Sequence, residues 1–571
     1  MTLDSFNIKK ELNFALSCIQ KNNHLDAIKI YEKILKENDN NSEANSNLGM
    51  LYAQNNNLDK AEKHLIKAIK VDVKNPYLLN NLASILIRLG RNNESITHSK
   101  NAIRIKKNFS LAYNNLGLAQ KNIEDNENAK LSFLKAIETD IKNVLPYYNI
   151  ACLYESLNDL KNSESYYLKA MEVNSKYFST YNNIMNLYER TNDDSSLKHI
   201  IERGEKEFPN NFSIKLFKGK LQFKSKLYSE AINNLESFKF DKNNHAKESI
   251  RCNVLANCYD AVDKFDKAFV YFKLANKINF ELNKNKVSKE RSTKVVEDRI
   301  NFFQKENLKN WEYNSDEKIT KEPVFIIGFP RSGTTLLDAI LNSHPDIEVI
   351  EEKPIINKFV KLLHKEINSE FSNLKDIDQQ LIKKMKTFYF DVLKNYSKQN
   401  NQKLYIDKMP LNIIYVGEIV RIFPNAKFVL AIRHPSDCIL SCFMQNFLLN
   451  DSMANFVDLD STSKFYNQVM TLWKQYQSLF KINYHFIKYE DLVIDFENNI
   501  SKLLNFLDLE WSDEVNKFHE KVKNRGKIST PSYNQVNKKI YSKSIGRWKN
   551  YEIEFQKVLP IIQPWIKNFD Y

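Results

Sequence analysis

The sequence predicts two architectures in series: an all-α superhelix of helical-hairpin repeats, then an α/β domain with a mostly parallel sheet and a glycine-containing phosphate-binding loop. Three observations carry this. A pattern of small and apolar residues returns every 34 positions through the first half of the chain. That periodicity stops at Pro323, where the short apolar run VFIIGF leads into PRSGTT and then into helical spacing. Finally, 571 residues exceed what one hydrophobic core organises.

In the repeats, Asn47, Asn81, Asn115, Asn149 and Asn183 occupy one position of successive units. Two residues later stand Gly49, Ala83, Gly117, Ala151 and Met185, and Gly219 restores the small residue. Leu48, Leu82, Leu116 and Ile150 precede the small position and fill the seam. In the second helix of each unit, Ala61, Ser95, Ala129, Ser163 and Ala231 share one site, with Ala27 earlier; Ala68, Ala102, Ala136 and Ala170 share another. Small residues let two helices approach closely, polar connectors such as NNNLD and SLNDL mark the turns, and stacking supplies the core a single hairpin lacks. These residues resemble the tetratricopeptide repeat over roughly 8–245, and more loosely to about 280, where Ala268 sits three residues late. The expected domains are a tetratricopeptide repeat superhelix at 8–282, a capping helix and linker at 283–321, and the α/β domain at 322–571. Arrays of this kind bind a protein or peptide in their groove, and a homodimer stays open.

Lys and Arg number 84 against 70 Asp and Glu, a net charge of +14 spread over both halves. A basic surface favours a polyanionic cosubstrate or an acidic acceptor; without a zinc finger, an RNP-type strand or an arginine-rich tract, no nucleic acid is expected. Cys18, Cys152, Cys252, Cys258, Cys438 and Cys442 are scattered and read as buried thiols, with no metal site. Neither a leader pattern nor a run of eighteen apolar residues is present, so no membrane span is expected and the chain reads as soluble and cytoplasmic.

In the second half, strand, glycine-containing loop and helix point backbone N–H groups at a phosphate. Gly328 and Gly333 permit tight turns, Ser332, Thr334 and Thr335 offer hydroxyls, and Arg331 brings positive charge. The spacing is P-loop-like, but Thr334 stands where an NTPase loop needs lysine. A second element, KFVLAIRHPSDCILSCF, reads as a strand ending at Arg433 and a helix carrying Ser441, a clamp for a second phosphate. Two such sites suggest a nucleotide phosphorylated at both ends.

PRSGTT with RHPSDCILS resembles the sulfotransferase family, whose cosubstrate is 3′-phosphoadenosine 5′-phosphosulfate, and HPDIEVIEEKPII resembles the protein-tyrosine sulfotransferases within it. The resemblance covers roughly 322–560. It implies a transferase moving a sulfuryl group to a hydroxyl, protein tyrosine brought by the repeats, with no metal required. By position it makes Glu352 the catalytic base, places Lys408 and Arg331 near the transferring group, assigns Arg331, Ser332, Gly333, Thr334 and Thr335 to the 5′-phosphosulfate and Arg433 and Ser441 to the 3′-phosphate, and sets Tyr489 at the site edge. A closing loop would add Ser529, Gln535 and Lys539. A base in a dry pocket, an orienting role for Asp407 and an alternative base in His344 complete the expectations. Pro354, with Lys353 before it, departs from the subgroup, which carries an arginine two residues past the base. A carbohydrate or small-metabolite acceptor, or a scaffold with an inactive nucleotide-binding domain, are the alternatives.

Overall fold

The computed structural model describes residues 5–238, 244–308, 322–397, 403–520 and 544–571. They fall into two compact units, Met1–Ile214 and Lys215–Tyr571, so the division lies inside the repeat array.

The first unit is all helical: α1 (Ser5–Gln20), α2 (His24–Glu37), α3 (Ser42–Gln54), α4 (Leu58–Val71), α5 (Pro76–Arg88), α6 (Asn92–Ile105), α7 (Ser110–Asn122), α8 (Asn126–Thr139), α9 (Val144–Ser156), α10 (Leu160–Val173), α11 (Phe178–Thr191) and α12 (Asp194–Glu207). Asn and Asp before the helices accept their free N–H groups: Asn41 caps α3, Asn57 caps α4 and Asp159 caps α10. Each hairpin turns on one residue of left-handed φ: Asn22, Asn56, Gly90, Glu124, Asn158 and Asn192, then Lys226 in the second unit. The period is therefore written in backbone conformation as well as in packing, and Gly90, Asn22, Asn56, Asn158 and Asn192 are of residue types that tolerate it, whereas Glu124 and Lys226 are not.

The small positions do what the pattern implied. A Cβ on Gly117 would lie 2.6 Å from the Phe133 ring, and one on Gly49 3.1 Å from the Ala61 carbonyl oxygen. Buried clusters link only neighbouring helices, such as Leu12, Tyr31 and Leu48, or Phe133, Ile150 and Leu153. The recurrent asparagines tie unit to unit: the Asn115 amide donates to Asn80, Asn149 to Asn114, and Asn183 to Tyr148 and Tyr167.

The division falls within α13 (Phe212–Lys224), and the second unit continues with α14 (Tyr228–Glu236), α15 (His245–Ala261), α16 (Phe265–Asn283) and α17 (Lys289–Phe302). The left-handed residue after α15 is Asp263, three residues beyond the 34-residue step from Lys226, which is the slip seen at Ala268. Then come β1 (Val324–Gly328), α18 (Thr334–Leu341), β2 (Ile347–Glu351), α19 (Ile355–Glu366), α20 (Gln379–Lys394), β3 (Leu404–Lys408), α21 (Val416–Ile422), β4 (Lys427–Ile432), α22 (Pro435–Met444), α23 (Leu459–Leu479), β5 (Asn483–Lys488), α24 (Tyr489–Ile494), α25 (Phe496–Phe506), α26 (Glu552–Phe555) and α27 (Leu559–Asn568). The strands pair in the order β2-β3-β1-β4-β5, every pair parallel. One sheet face, with Val324, Ile326, Ile406 and Val429, packs on Leu337 and Ile340 of α18 and on Ile500 and Leu503 of α25. The other bears Phe325 stacked on Phe428 and edged by Tyr389. Phe303, after α17, fills the space where a Cβ on Gly417 would stand. Among the described residues no helix is long and apolar enough to cross a membrane.

Two glycines separate backbone strain from crowding. Around Gly90 (φ +77°) a Cβ meets nothing within 4 Å, so Gly90→Ala should cost about 1 kcal/mol from conformation alone. Gly117→Ala should cost about 1–3 kcal/mol from collision with Phe133, and a Phe133→Leu background should recover part of it. Conversely Glu124→Gly should gain about 0.5–1 kcal/mol. Thermal midpoints of the three variants check the ranking.

Candidate active site

The chain leaves β1 toward one side of the sheet and β4 toward the other, and the crevice beyond their carboxyl ends is where open α/β sheets take ligands. At that point Gly328 has φ +153° and a Cβ there would lie 2.5 Å from the Ala431 carbonyl oxygen, so only glycine fits. Arg331 (φ 71°) and Gly333 (φ 103°) are also left-handed, and α18 starts directly after them. Ser332 is buried, and its hydroxyl has no hydrogen-bond partner among the described residues.

Three neighbours set the loop. The buried thiols of Cys438 and Cys442 donate to the Pro330 carbonyl at 3.1 and 3.2 Å, which gives the cysteine pair a positional role. The Arg331 Nε donates to Ser441 Oγ at 3.0 Å. Tyr489, at the start of α24, lies against Gly333 (a Cβ would come within 3.1 Å of the ring) and carries the Arg433 guanidinium 5.1 Å above it. Arg433 also donates to the carbonyls of Arg331 (3.4 Å) and Ser544 (2.5 Å). Thus Arg331, Ser332, Gly333, Arg433, Ser441 and Tyr489 come together, with Thr334 and Thr335 in the first turn of α18. Ser529, Gln535 and Lys539 lie outside the described residues.

Beside the loop, on β3, is Lys408, with no exposed surface. Its ammonium is 2.9 Å from Glu352, 3.4 Å from Glu351 and 3.7 Å from Asp338. Burial acts to lower its pKa, but Asp338, Glu352 and Glu351 together outweigh that and raise it, so the lysine stays charged. Glu352 follows the last residue of β2 with φ +47°, and its N–H donates to the Lys408 carbonyl at 2.8 Å. This left-handed step turns the chain out of the sheet and toward α19. The Glu352 side chain is 38% exposed against 24% for Glu351 and 3% for Asp338. An open position replaces the expected dry pocket, and Glu352 is the carboxylate of the three best placed to meet an incoming group.

Two other expectations fail on geometry. Asp407 pairs in register with Phe325 and Ile350, on the face opposite Lys408, so it does not orient the lysine. Its carboxyl is fully buried, has no hydrogen-bond partner among the described residues, and is pushed by burial up to about 8. His344 precedes β2, at the amino ends of the strands. Its Nδ1 accepts from the Asp346 N–H and its Nε2 lies 3.1 Å from the Glu510 carbonyl, a structural role.

Sequence reading missed three carboxylates. Asp338 interrupts the apolar LLDAIL and meets Lys408. Asp437, 1% exposed, accepts the Gly546 and Trp548 N–H groups at 2.6 and 2.8 Å. Glu490 accepts the His434 N–H at 3.0 Å and the Tyr571 hydroxyl at 2.6 Å. For Asp338 the available signal was an acid inside an apolar helical run, where burial demands a partner. Among the described residues no group of three or more His, Cys, Asp or Glu is arranged to hold a metal ion.

Comparison with known proteins finds a different family in each half of the chain. Residues 323–513 match the sulfotransferase family, and 19–85, 76–109, 111–141 and 146–177 match the tetratricopeptide repeat. An uncharacterized protein of Aquifex aeolicus (strain VF5) is 29% identical over 319 residues, 54% of this chain and 40% of that one. The protein-tyrosine sulfotransferase of Drosophila melanogaster is 26% identical over 266 residues, 43% of this chain and 50% of that one. Protein-tyrosine sulfotransferase 1 of Danio rerio is 27% identical over 276 residues, 45% of this chain and 74% of that one. The chain thus spans half or less of the first two relatives.

The Asp407 carboxyl gives a pH test. It is protonated in the fold up to about 8, whereas the unfolded chain ionises it near 3.9. The folded state holds the extra proton, so this group's contribution is complete below about 4 and declines as pH rises to about 8, by about 1.4 kcal/mol per unit. Asp407→Asn should remove that slope, its thermal midpoint gaining on the wild type from pH 5 to pH 8; parallel profiles would mean that Asp407 is ionised in the fold.

Proposed function

We propose that this chain, a tetratricopeptide repeat array joined to a sulfotransferase-family domain, transfers a sulfuryl group from 3′-phosphoadenosine 5′-phosphosulfate to a hydroxyl acceptor, protein tyrosine recruited by the repeats. The observation that carries the reading is the Lys408–Glu352 pair, 2.9 Å apart, at the carboxyl end of the sheet beside the left-handed loop. The residues fit the nucleotide. Among the described residues neither the buried Ser332 hydroxyl nor the buried Arg433 Nε has a partner, and α18 directs its first N–H groups toward the loop. The loop with Arg331, Ser332, Gly333, Thr334 and Thr335 would hold the 5′-phosphosulfate, and Arg433 with Ser441 the 3′-phosphate. When bound, the nucleotide supplies the sulfuryl group.

The chain's own work is then acid–base and electrostatic. Glu352 accepts the acceptor's hydroxyl proton, since a phenol near pKa 10 is a poor nucleophile while protonated. As its O–H bond breaks, the oxygen pair forms the new bond to sulfur and the bond to the phosphate oxygen is released. Lys408 and Arg331 offset the charge that collects on that oxygen. Both are held in place beforehand, Lys408 by Asp338 and Glu351, Arg331 by Ser441. Six free cysteines suit a reducing compartment, which supports a cytoplasmic setting.

A carbohydrate or small-metabolite acceptor is the second reading. It is favoured by Pro354 at the position where the tyrosine-sulfating subgroup has arginine, and by Lys353, whose ammonium lies 5.9 Å from the Tyr396 ring centre instead of joining the Lys408 cluster.

The test is transfer of radiolabelled sulfate from the nucleotide to tyrosine-containing acidic peptides and to protein and glycan extracts, with Glu352→Gln alongside. Label on tyrosine should appear with the wild type and fall by about 10²–10⁴ in the variant, while nucleotide affinity is retained. Label on glycans alone would replace the acceptor, and no label despite nucleotide binding would overturn the enzymatic reading.

A further inference from the structure

Within the second unit, the last helical hairpin, α15 and α16, is tied to the α/β fold at two places, and both lead to the nucleotide elements. The first is the end of α22. The Asn276 amide donates to the Phe443 carbonyl at 2.8 Å and the Asn253 amide to the Met444 carbonyl at 3.1 Å. These are last-turn carbonyls that a helix leaves without partners of its own. Phe269 and Phe272 lie 5.0 and 6.2 Å from the Phe443 ring. The same short helix carries Ser441, which meets Arg331, and the two thiols that hold the Pro330 carbonyl.

The second place is the 3₁₀ turn Arg547–Tyr551. Asp260, near the end of α15, accepts from the Arg547 guanidinium at 2.5 Å through one oxygen and from the Tyr551 hydroxyl at 2.6 Å through the other. Phe265 and Phe269 of α16 flank the Tyr551 ring at 5.5 and 6.3 Å. Just upstream, the Ser544 carbonyl accepts from Arg433 and the Gly546 N–H donates to the buried Asp437, which also accepts the Trp548 N–H from within the turn.

We propose that Asp260 is a positioning residue for the nucleotide site: by anchoring Arg547 and Tyr551 it fixes the segment that holds Arg433 and Asp437, so the last repeat hairpin builds the 3′-phosphate half of the pocket. The proposal rests on the reading that Arg433 binds that phosphate. The physical reason is side-chain freedom. An arginine has many rotamers, and its guanidinium binds an anion well only when fixed beforehand. Arg433 is 9% exposed, its Nη2 is held by Ser544 and its face by Tyr489, while its Nε has no partner among the described residues and remains available to a phosphate oxygen. Nothing in β4 or α22 alone supplies the Ser544 anchor. It depends on a turn fastened from two sides, by Asp437 of α22 through the Gly546 and Trp548 N–H groups and by Asp260 of the repeats through Arg547 and Tyr551.

The experiment is calorimetric titration of the full chain with adenosine 3′,5′-bisphosphate and with adenosine 5′-monophosphate, which lacks the 3′ group. The wild type should prefer the bisphosphate by tenfold or more. Asp260→Asn should lose about tenfold of that preference, with the monophosphate affinity within about twofold of wild type. Tyr551→Phe, which keeps the Asp260–Arg547 pair, should lose about threefold and decides the matter alone if the first variant does not fold. Unchanged preference in the variants would overturn the proposal, as would equal weakening of both ligands, which is the mark of a general structural role. No preference in the wild type would instead overturn the Arg433 reading, and the proposal with it.

Discussion

A lysine without any exposed surface is expensive to keep, and the carboxyl end of this sheet is organised around keeping one. Lys408 lies on a central strand, where desolvation favours a neutral amine. Three carboxylates from three places reverse that: Asp338 from the helix after the loop, Glu351 from the edge strand, and Glu352 from the turn beyond it. Removing one member of a buried charge pair typically costs about 3–5 kcal/mol, so this cluster constrains position as well as charge. It determines where α18 can start relative to β3, and therefore where the loop ahead of α18 sits. The most exposed member is Glu352, at 38% of its side-chain surface.

Strain accompanies the cluster. Arg331 and Glu352 both have left-handed backbone, a conformation that costs a non-glycine residue about 1–2 kcal/mol. Each is held in it by specific contacts. Arg331 is held through Ser441 and the carbonyl it gives to Arg433, and Glu352 through its N–H to Lys408 and the ion pair. The repeats use the same backbone state for a different purpose, once per hairpin, where the requirement is only that the second helix fold back on the first.

Much of this was legible in the chain. The 34-residue period, the small sites facing Phe133 and Leu65, and the three-residue slip near Ala268 all survive in the structure, because a repeat core depends on contacts close in sequence. Strands β1 and β4 were legible because they are central and continuously apolar. Strands β2 and β5 were not: they are edge strands, one reading IEVIE with acids among its apolar residues, the other half exposed. The loop residues, Arg433, Ser441 and Glu352 could be named from motifs. Asp338 carried a local signal, an acid inside an apolar helical run, but Asp437, Glu490 and Asp260 did not, since nothing near them in sequence separates an acid bound for a buried partner from one on a solvated face.

The sequence by itself determined the two architectures, a helical repeat array and a mostly parallel sheet domain, because hairpin periodicity and apolar strand runs are local properties of a chain. Only the tertiary structure decided that Lys408 and Asp407, neighbours on one strand, have opposite fates: a strand sends successive side chains to opposite faces, and which face holds carboxylates and which holds aromatic rings is set by distant elements. It also decided that the last repeat helices belong with the α/β fold, through Asn276 and Asp260 reaching backbone and side chains far along the sequence. Contacts over such separations leave no period and no motif for a sequence to display.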